Sequence, residues 1–330
     1  MSYMTEGELL MNRNLSFRED GTFKMVQFTD IHWMDGRDED QRSRKLMELI
    51  LDAEQPDLVV FTGDIIYTGP VSPEDVECED PQQAFHDAVA TVEGRGFPWA
   101  FVFGNHDTES RITREELMQV ALTHEHTVAK SGPVNISGSG NYTVELVDSK
   151  GTPAANLYFL DSGSYSPYEH VAGYDWIKRD QISWLTDESA RLNPQGTENK
   201  LPALAFFHIP IPEYQEMWDT EVCYGHKFEQ VCCPAVNSGL FTAMVEMGDV
   251  MGTFCGHDHT NDYYGTLHGI KLCYGRASGY NTYGKEGFMR GGRVIQMTLG
   301  QHDFDTWFRL EDGSVVHKQP THDPHTEKES

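Results

Sequence analysis

Five short apolar runs in this 330-residue chain each stop at an Asp, Asn or His, and no other feature constrains the fold as tightly. Phe23-Lys24-Met25-Val26-Gln27-Phe28 ends at Thr29-Asp30-Ile31-His32, and Leu58-Val59-Val60-Phe61 leads to Gly63-Asp64. The run from Trp99 to Phe103 meets Gly104-Asn105-His106-Asp107, and Ala203 to Phe207 stops at His208. Thr253-Phe254-Cys255 leads into Gly256-His257-Asp258-His259. Runs of this length read as buried strands. Loops at the carboxyl ends of strands in an open α/β sheet converge on one crevice. Residues far apart in the chain are therefore expected to meet.

The segments between these strands support that reading. Gln41 to Ala53 carries Leu46, Leu49 and Ile50 at helical spacing before Pro56, and further helices are predicted near Gln82–Val92, Ile177–Arg191 and Ser238–Met247. Asn141–Val147 and Asn156–Leu160 read as strands paired across a Gly151-Thr152-Pro153 turn. Strands are also expected at Lys271–Tyr274, Val294–Thr298 and Thr306–Leu310. Alternation of strand and helix predicts an α/β fold. The expected organisation is an N-terminal extension at 1–20, one domain at 21–312 and a polar, disordered tail at 313–330 whose histidines face solvent.

The converging set is two Asp, one Asn and four His, with His106 beside it. Mixed nitrogen and oxygen donors suit Mn, Fe or Zn better than Ca or Mg alone. Two such ions about 3.5–4 Å apart can bind ester oxygens, turn water into a nucleophile and stabilise the leaving oxygen of an in-line displacement at phosphorus. Asp64 is the natural bridging carboxylate. His106 is placed to protonate the leaving oxygen, with Asp107 expected to orient it or raise its pKa. A lone Asp-x-His or Gly-Asp carries little information. All five segments in this order, each after a strand, are specific.

The series Asp-x-His, Gly-Asp, Gly-Asn-His-Asp, lone His and Gly-His-x-His resembles that of the calcineurin-like metallophosphoesterases, over roughly Phe23 to Leu310. The resemblance implies a four-layer fold, a central two-sheet β-sandwich flanked by helices, with two metal ions at one edge. It implies that Asp30, His32, Asp64 and His259 hold the first ion. Asp64, Asn105, His208 and His257 hold the second, and His106 is the acid. Downstream, Asn237-Ser238-Gly239-Leu240-Phe241, Gly256 to Asp262, Leu272 to Arg276 and Gly292-Arg293-Val294-Ile295 are similar to the purple-acid-phosphatase-like subgroup. Purple acid phosphatases proper replace the first His and use a Tyr three residues after the Gly-Asp aspartate. This chain has both His32 and Tyr67. His32 is the expected ligand and Tyr67 a wall of the pocket.

Composition narrows the function further. Asp and Glu number 52 against 25 Lys and Arg, a formal net charge of -27, which argues against a nucleic-acid partner. No run of about 20 apolar residues predicts a membrane span, and the first residues do not read as a secretory signal. A cytoplasmic setting is expected on those grounds. The six cysteines show no Cys-x-x-Cys spacing; Cys223, Cys232 and Cys233 allow a local disulfide, though inert thiols fit a reducing compartment better. The stretch Tyr214–Asn237 reads as a lid or substrate loop. Tyr224, His226, Asn237 and Arg276 are candidate substrate contacts, Arg276 because Arg clamps phosphate through paired donors. Lys285 and Arg290 lie in a second cationic stretch, and His124-Glu125-His126 reads as surface polarity. The predicted activity is hydrolysis of a small phosphate monoester by a metal-bridging hydroxide. The alternatives are a phosphodiesterase acting on cyclic nucleotides or glycerophosphodiesters, and a non-catalytic metal-binding interaction protein.

Overall fold

The computed structural model describes residues 15–69, 78–194 and 200–326. In chain order, the strands are β1 (Leu15–Ser16), β2 (Thr22–Phe28), β3 (Leu58–Thr62), β4 (Trp99–Val102), β5 (Tyr142–Val147), β6 (Pro153–Phe159), β7 (Ala203–Phe206) and β8 (Cys223–Tyr224). They continue as β9 (Val250–Cys255), β10 (Tyr264–Leu267), β11 (Ile270–Tyr274), β12 (Gly291–Thr298), β13 (Phe304–Leu310), β14 (Val315–Val316) and β15 (Thr321–His322). The helices are α1 (Asp38–Glu54), α2 (Pro81–Glu93), α3 (Arg114–Ala121), α4 (Arg179–Leu192), α5 (Glu213–Thr220) and α6 (Leu240–Met247).

Two sheets stack face to face between helices. The smaller has the order β14-β13-β12-β2-β3-β4, with β2, β3 and β4 parallel. The larger has the order β1-β5-β6-β7-β9-β11-β10-β8-β15, with β6, β7, β9 and β11 parallel. Strands covered on both faces need apolar side chains at every position; β3, β4 and β7 are buried at each residue. Phe254 of β9 meets Phe304 of β13 across the interface at 5.3 Å, and Gln27 of β2 donates to the carbonyl of Cys255. Within the larger sheet Tyr142, Phe159, Phe206 and Phe254 form a row of stacked rings 4.6–5.2 Å apart. Truncating Phe206 to Ala at the centre of that row costs about 3–5 kcal/mol.

The helices follow their apolar stripes. α1 buries Leu46, Met47, Ile50 and Leu51, the i, i+4 spacing of one helical face. Asp80 caps α2 by accepting from the Gln83 amide, with Pro81 at the first position. Thr113 and Glu116 form a reciprocal capping box at α3. α3 and α5, each of eight residues, are not anticipated from the sequence.

Two boundaries differ from the sequence expectation. Residues 15 and 16 pair with Leu146 and Val147, and Phe17 is buried, so the segment 15–20 belongs to the domain. The tail is ordered as far as residue 326, where described: β14 extends the smaller sheet and β15 pairs with Tyr224 and Cys223. His322 stacks on Trp218 at 3.8 Å, and its Nε2 sits 2.8 Å from the Trp218 carbonyl oxygen. Paired backbone and a covered ring outweigh a polar composition. His124 also turns inward, edge-on to Trp99 and 2.9 Å from His86. Among the described residues no helix is long and apolar enough to cross a membrane.

Candidate metal centre

Asp30, His32, Asp64 and Asn105 follow β2, β3 and β4 of one sheet, while His208, His257 and His259 follow β7 and β9 of the other. The crevice therefore lies where the parallel strands of both sheets end together. Asp30, His32, Asp64 and His259 bring ligand atoms within 4.8 Å of one another, and Asp64, His208 and His257 form a second such group. Asp64 belongs to both. Its Oδ2 lies 3.5 Å from His32 Nε2 and 3.1 Å from His208 Nε2. Asn105 Oδ1 is 3.2 Å from His208 Nε2, which places it in the second group. Every sequence-predicted ligand thus reaches the crevice.

Three observations fit a pair of metal ions. First, His32 Nε2, Asp64 Oδ2 and His257 Nε2 are buried without a hydrogen-bond partner. Native interiors rarely tolerate such atoms unless something else satisfies them. Second, Asp30, His32, Asp64 and His257 have φ of 54, 52, 50 and 76°, the left-handed region that non-glycine residues avoid. Strain of this kind collects at sites that need a fixed geometry. Third, the other imidazole nitrogens are engaged: His208 Nδ1 lies 2.8 Å from the Thr62 carbonyl and His259 Nδ1 2.7 Å from Thr282 Oγ1. Such partners orient a ligating ring and leave Nε2 free.

Two motif glycines have a steric cause. A Cβ on Gly104 would stand 2.0 Å from Asp64 Oδ1, and one on Gly256 would stand 1.9 Å from Thr29 Oγ1 and 2.9 Å from Asp30 Oδ2. Each glycine lets a carboxylate lie against the backbone of another motif. Electrostatics complete the picture. Burial, then the neighbouring His208, pushes His257 down to about 3, while Asp64 outweighs burial at His208 and raises it to about 9; a metal ion there would displace that proton. Burial pulls the His106 pKa down, but the Asp64 and Glu109 carboxylates outweigh it and the net shift is upward.

Asp107 does not orient His106. Its fully buried carboxylate accepts the backbone N–H groups of Asp64, Ile66 and Gly104, and so fixes the two loops that carry Asp64 and Asn105. The partner of His106 is Glu109, whose Oε2 lies 2.7 Å from His106 Nδ1. Sequence reasoning missed it. The only available signal was its position three residues after His106, on the same side of a single helical turn. The Tyr67 ring lies alongside His32 at 5.8 Å and against His106 at 5.2 Å, forming a wall of the crevice.

The sequence-predicted substrate contacts are used elsewhere. Arg276 is buried in an ion pair with Asp262 and donates to the Met289 carbonyl. His226 Nδ1 lies 3.4 Å from Asp262. Asn237 is bound to Glu213, and Tyr224 is a strand residue against Tyr264. The stretch Tyr214–Asn237 is not a free lid. It opens with α5 and β8, buries Tyr214, and is tied at Phe228, Glu229 and Cys232 to Asn261 and Asp258. All six cysteines are free thiols, and burial pushes Cys223 and Cys232 up to about 12.

A two-sheet α/β sandwich with acidic and imidazole donors gathered where its parallel strands end defines the metallophosphoesterase class. The chain belongs to the calcineurin-like phosphoesterase family, whose model matches residues 23–261. It is similar to the probable inactive purple acid phosphatases 29 and 28 of Arabidopsis thaliana, at 35% and 37% identity over 93% and 90% of this chain and 87% and 80% of theirs. It is also 34% identical, over 90% of its length, to the phosphatase DCR2 of Saccharomyces cerevisiae, of which it spans 55%. A dimetal phosphatase from Danio rerio shares the fold, with a TM-score of 0.58 and 14% identity over 86% of this chain and 98% of that one.

Proposed function

We propose that the chain is a dinuclear-metal-dependent hydrolase of phosphate monoesters. The observation that carries this reading is the pair of donor clusters sharing Asp64, with buried ligand atoms that no protein group satisfies. Asp30, His32, Asp64 and His259 hold one ion; Asp64, Asn105, His208 and His257 hold the other. When bound, ions of the Mn, Fe or Zn type supply Lewis-acid binding of the ester oxygens and a nucleophilic water at neutral pH. His106 is anchored through Nδ1 by Glu109 and offers Nε2 to the leaving oxygen. It donates its proton as the P–O bond to that oxygen breaks. Tyr67 and Tyr174 pack against His106 and His257 and limit the space open to water. Asp107 keeps the loops of Asp64 and Asn105 in register.

Three relatives carry the words "probable inactive" in their names, which favours a second reading: a metal-binding protein without turnover. The complete donor set and His106 speak against it in this chain. The test is steady-state hydrolysis of an aryl phosphate monoester and an aryl phosphate diester. The protein is first stripped by chelator and then reloaded with Mn, Zn or Fe. Faster monoester turnover, lost on stripping and in Asn105→Ala, is expected. A diester preference moves the assignment to a phosphodiesterase. Two bound metals with no turnover of either ester establishes the non-catalytic reading.

A further inference from the structure

The mouth of the crevice is closed by rings and carboxylates. Glu109 Oε1 accepts from Tyr165 Oη at 2.6 Å while its other oxygen faces His106. Tyr165 stacks on Tyr174 at 5.9 Å, and Tyr174 stands edge-on to His257 at 4.3 Å. Opposite, Tyr283 lies parallel to His259 at 4.1 Å and donates to Glu229 Oε2 at 2.7 Å. Tyr165 and Tyr283 keep 49% and 54% of their surface open. Two carboxylates and three tyrosines thus stand within one or two side chains of the candidate ligands.

Among the described residues, the ion pair at this rim is His106 with Glu109, and Glu229 has no ion-pair partner. Arg290 is buried behind it and donates to the carbonyls of Thr282 and Tyr283. Arg114 is held by Asp161 and by the carbonyls of Gly104 and Gly163. Among the described residues no ion pair or ring contact joins a Lys or Arg to Glu109, Tyr165, Tyr174, Glu229 or Tyr283. With phosphorus at the metal clusters, the leaving alcohol must extend past these groups. A second anion on it meets two carboxylates, and repulsion of like charges excludes it. An ammonium instead meets opposite charge and open tyrosine faces, which attract cations through the ring quadrupole.

We propose that this site selects phosphate monoesters of amino alcohols, whose leaving group carries an ammonium three or four bonds from the ester oxygen. The proposal rests on the phosphomonoesterase reading above. Water adds to phosphorus, the P–O ester bond breaks, and the amino alcohol departs with the proton from His106, leaving inorganic phosphate.

The test compares choline phosphate with its uncharged carbon isostere, 3,3-dimethylbutyl phosphate, on the metal-loaded wild-type protein. The expected kcat/KM ratio is about tenfold or more in favour of choline phosphate. It should shrink with added salt and fall toward one in Glu229→Gln and Tyr283→Leu. Equal rates on the two esters overturn the proposal. Calorimetry with two non-hydrolysable analogues separates its failure from that of the hydrolase reading. These are 3-(trimethylammonio)propylphosphonate and 4,4-dimethylpentylphosphonate. A protein that turns over no ester but binds the cationic analogue more tightly supports the selectivity without the hydrolysis. Equal binding of the two overturns the selectivity even in an active enzyme.

Discussion

Around Asp64, His32 Nε2, Asp64 Oδ2 and His257 Nε2 are buried without a hydrogen-bond partner, on a backbone held at positive φ. Around Arg276, the buried charges are paired with one another. Arg276 binds Asp262 and the Met289 carbonyl, while Arg293 donates to the carbonyls of Tyr274 and Asp262 and to Thr306 Oγ1. Arg276 also packs on Phe288 at 3.3 Å. Both regions bury charge, so burial alone does not separate a site from a scaffold. Satisfaction does. A paired network is stable as it stands, whereas an unpaired one calls for a ligand that supplies the missing partners.

Three substitutions sharpen that contrast. His106→Ala should lower kcat about 10²–10⁴-fold on an alkyl phosphate, the usual contribution of a general acid. The loss should be smaller on 4-nitrophenyl phosphate, because nitrophenolate leaves without a proton. Equal losses on both esters would remove His106 from the acid role. Arg276→Met should cost about 3–5 kcal/mol of stability, because it strands the buried Asp262 carboxylate. Urea unfolding measures this, and turnover per folded molecule should stay where it was. A stable variant with impaired phosphate binding would return Arg276 to the substrate site.

The smallest effect is expected at Glu54, on the far end of α1. It pairs with Arg309 at 2.7 Å and with Lys24 at 3.3 Å. Burial pushes its pKa up, but hydrogen bonds from Arg309 and Trp307 outweigh it and hold the carboxyl below 4.5 in the folded protein. A depressed folded pKa contributes stability above the unfolded pKa, and that contribution is lost as pH falls through the folded value. Glu54→Gln should therefore cost about 1 kcal/mol near neutral pH. The gap from wild type should close below pH 4.5. A gap unchanged in acid would show that the pair contributes through packing and not through charge.

Much of the site was legible because metal ligands follow strands, and strand ends are visible as apolar runs that stop. Asp30, His32, Asp64, Asn105, His208, His257 and His259 all stand at such stops, and all seven reach the crevice. Glu109 was not legible, because nothing in a linear sequence says which of two nearby carboxylates, Asp107 or Glu109, turns toward His106. The answer depends on three backbone amides that claim Asp107. Arg276 was misread for a similar reason. Its partner Asp262 follows the candidate ligand His259 closely in the chain, and only the fold shows that Arg276 is bound to it.

The sequence by itself determined that parallel strands would end in candidate metal ligands, since hydrophobic runs and polar stops are local properties of the chain. It also determined the α/β class and the helices long enough to show a period. Only the tertiary structure decided that the ligands come from two stacked sheets and not from one. It alone decided that the tail extends the larger sheet at β15, and that carboxylates and tyrosines gather at the rim. Those are pairings between distant segments, fixed by which surfaces fit, and no local pattern encodes them.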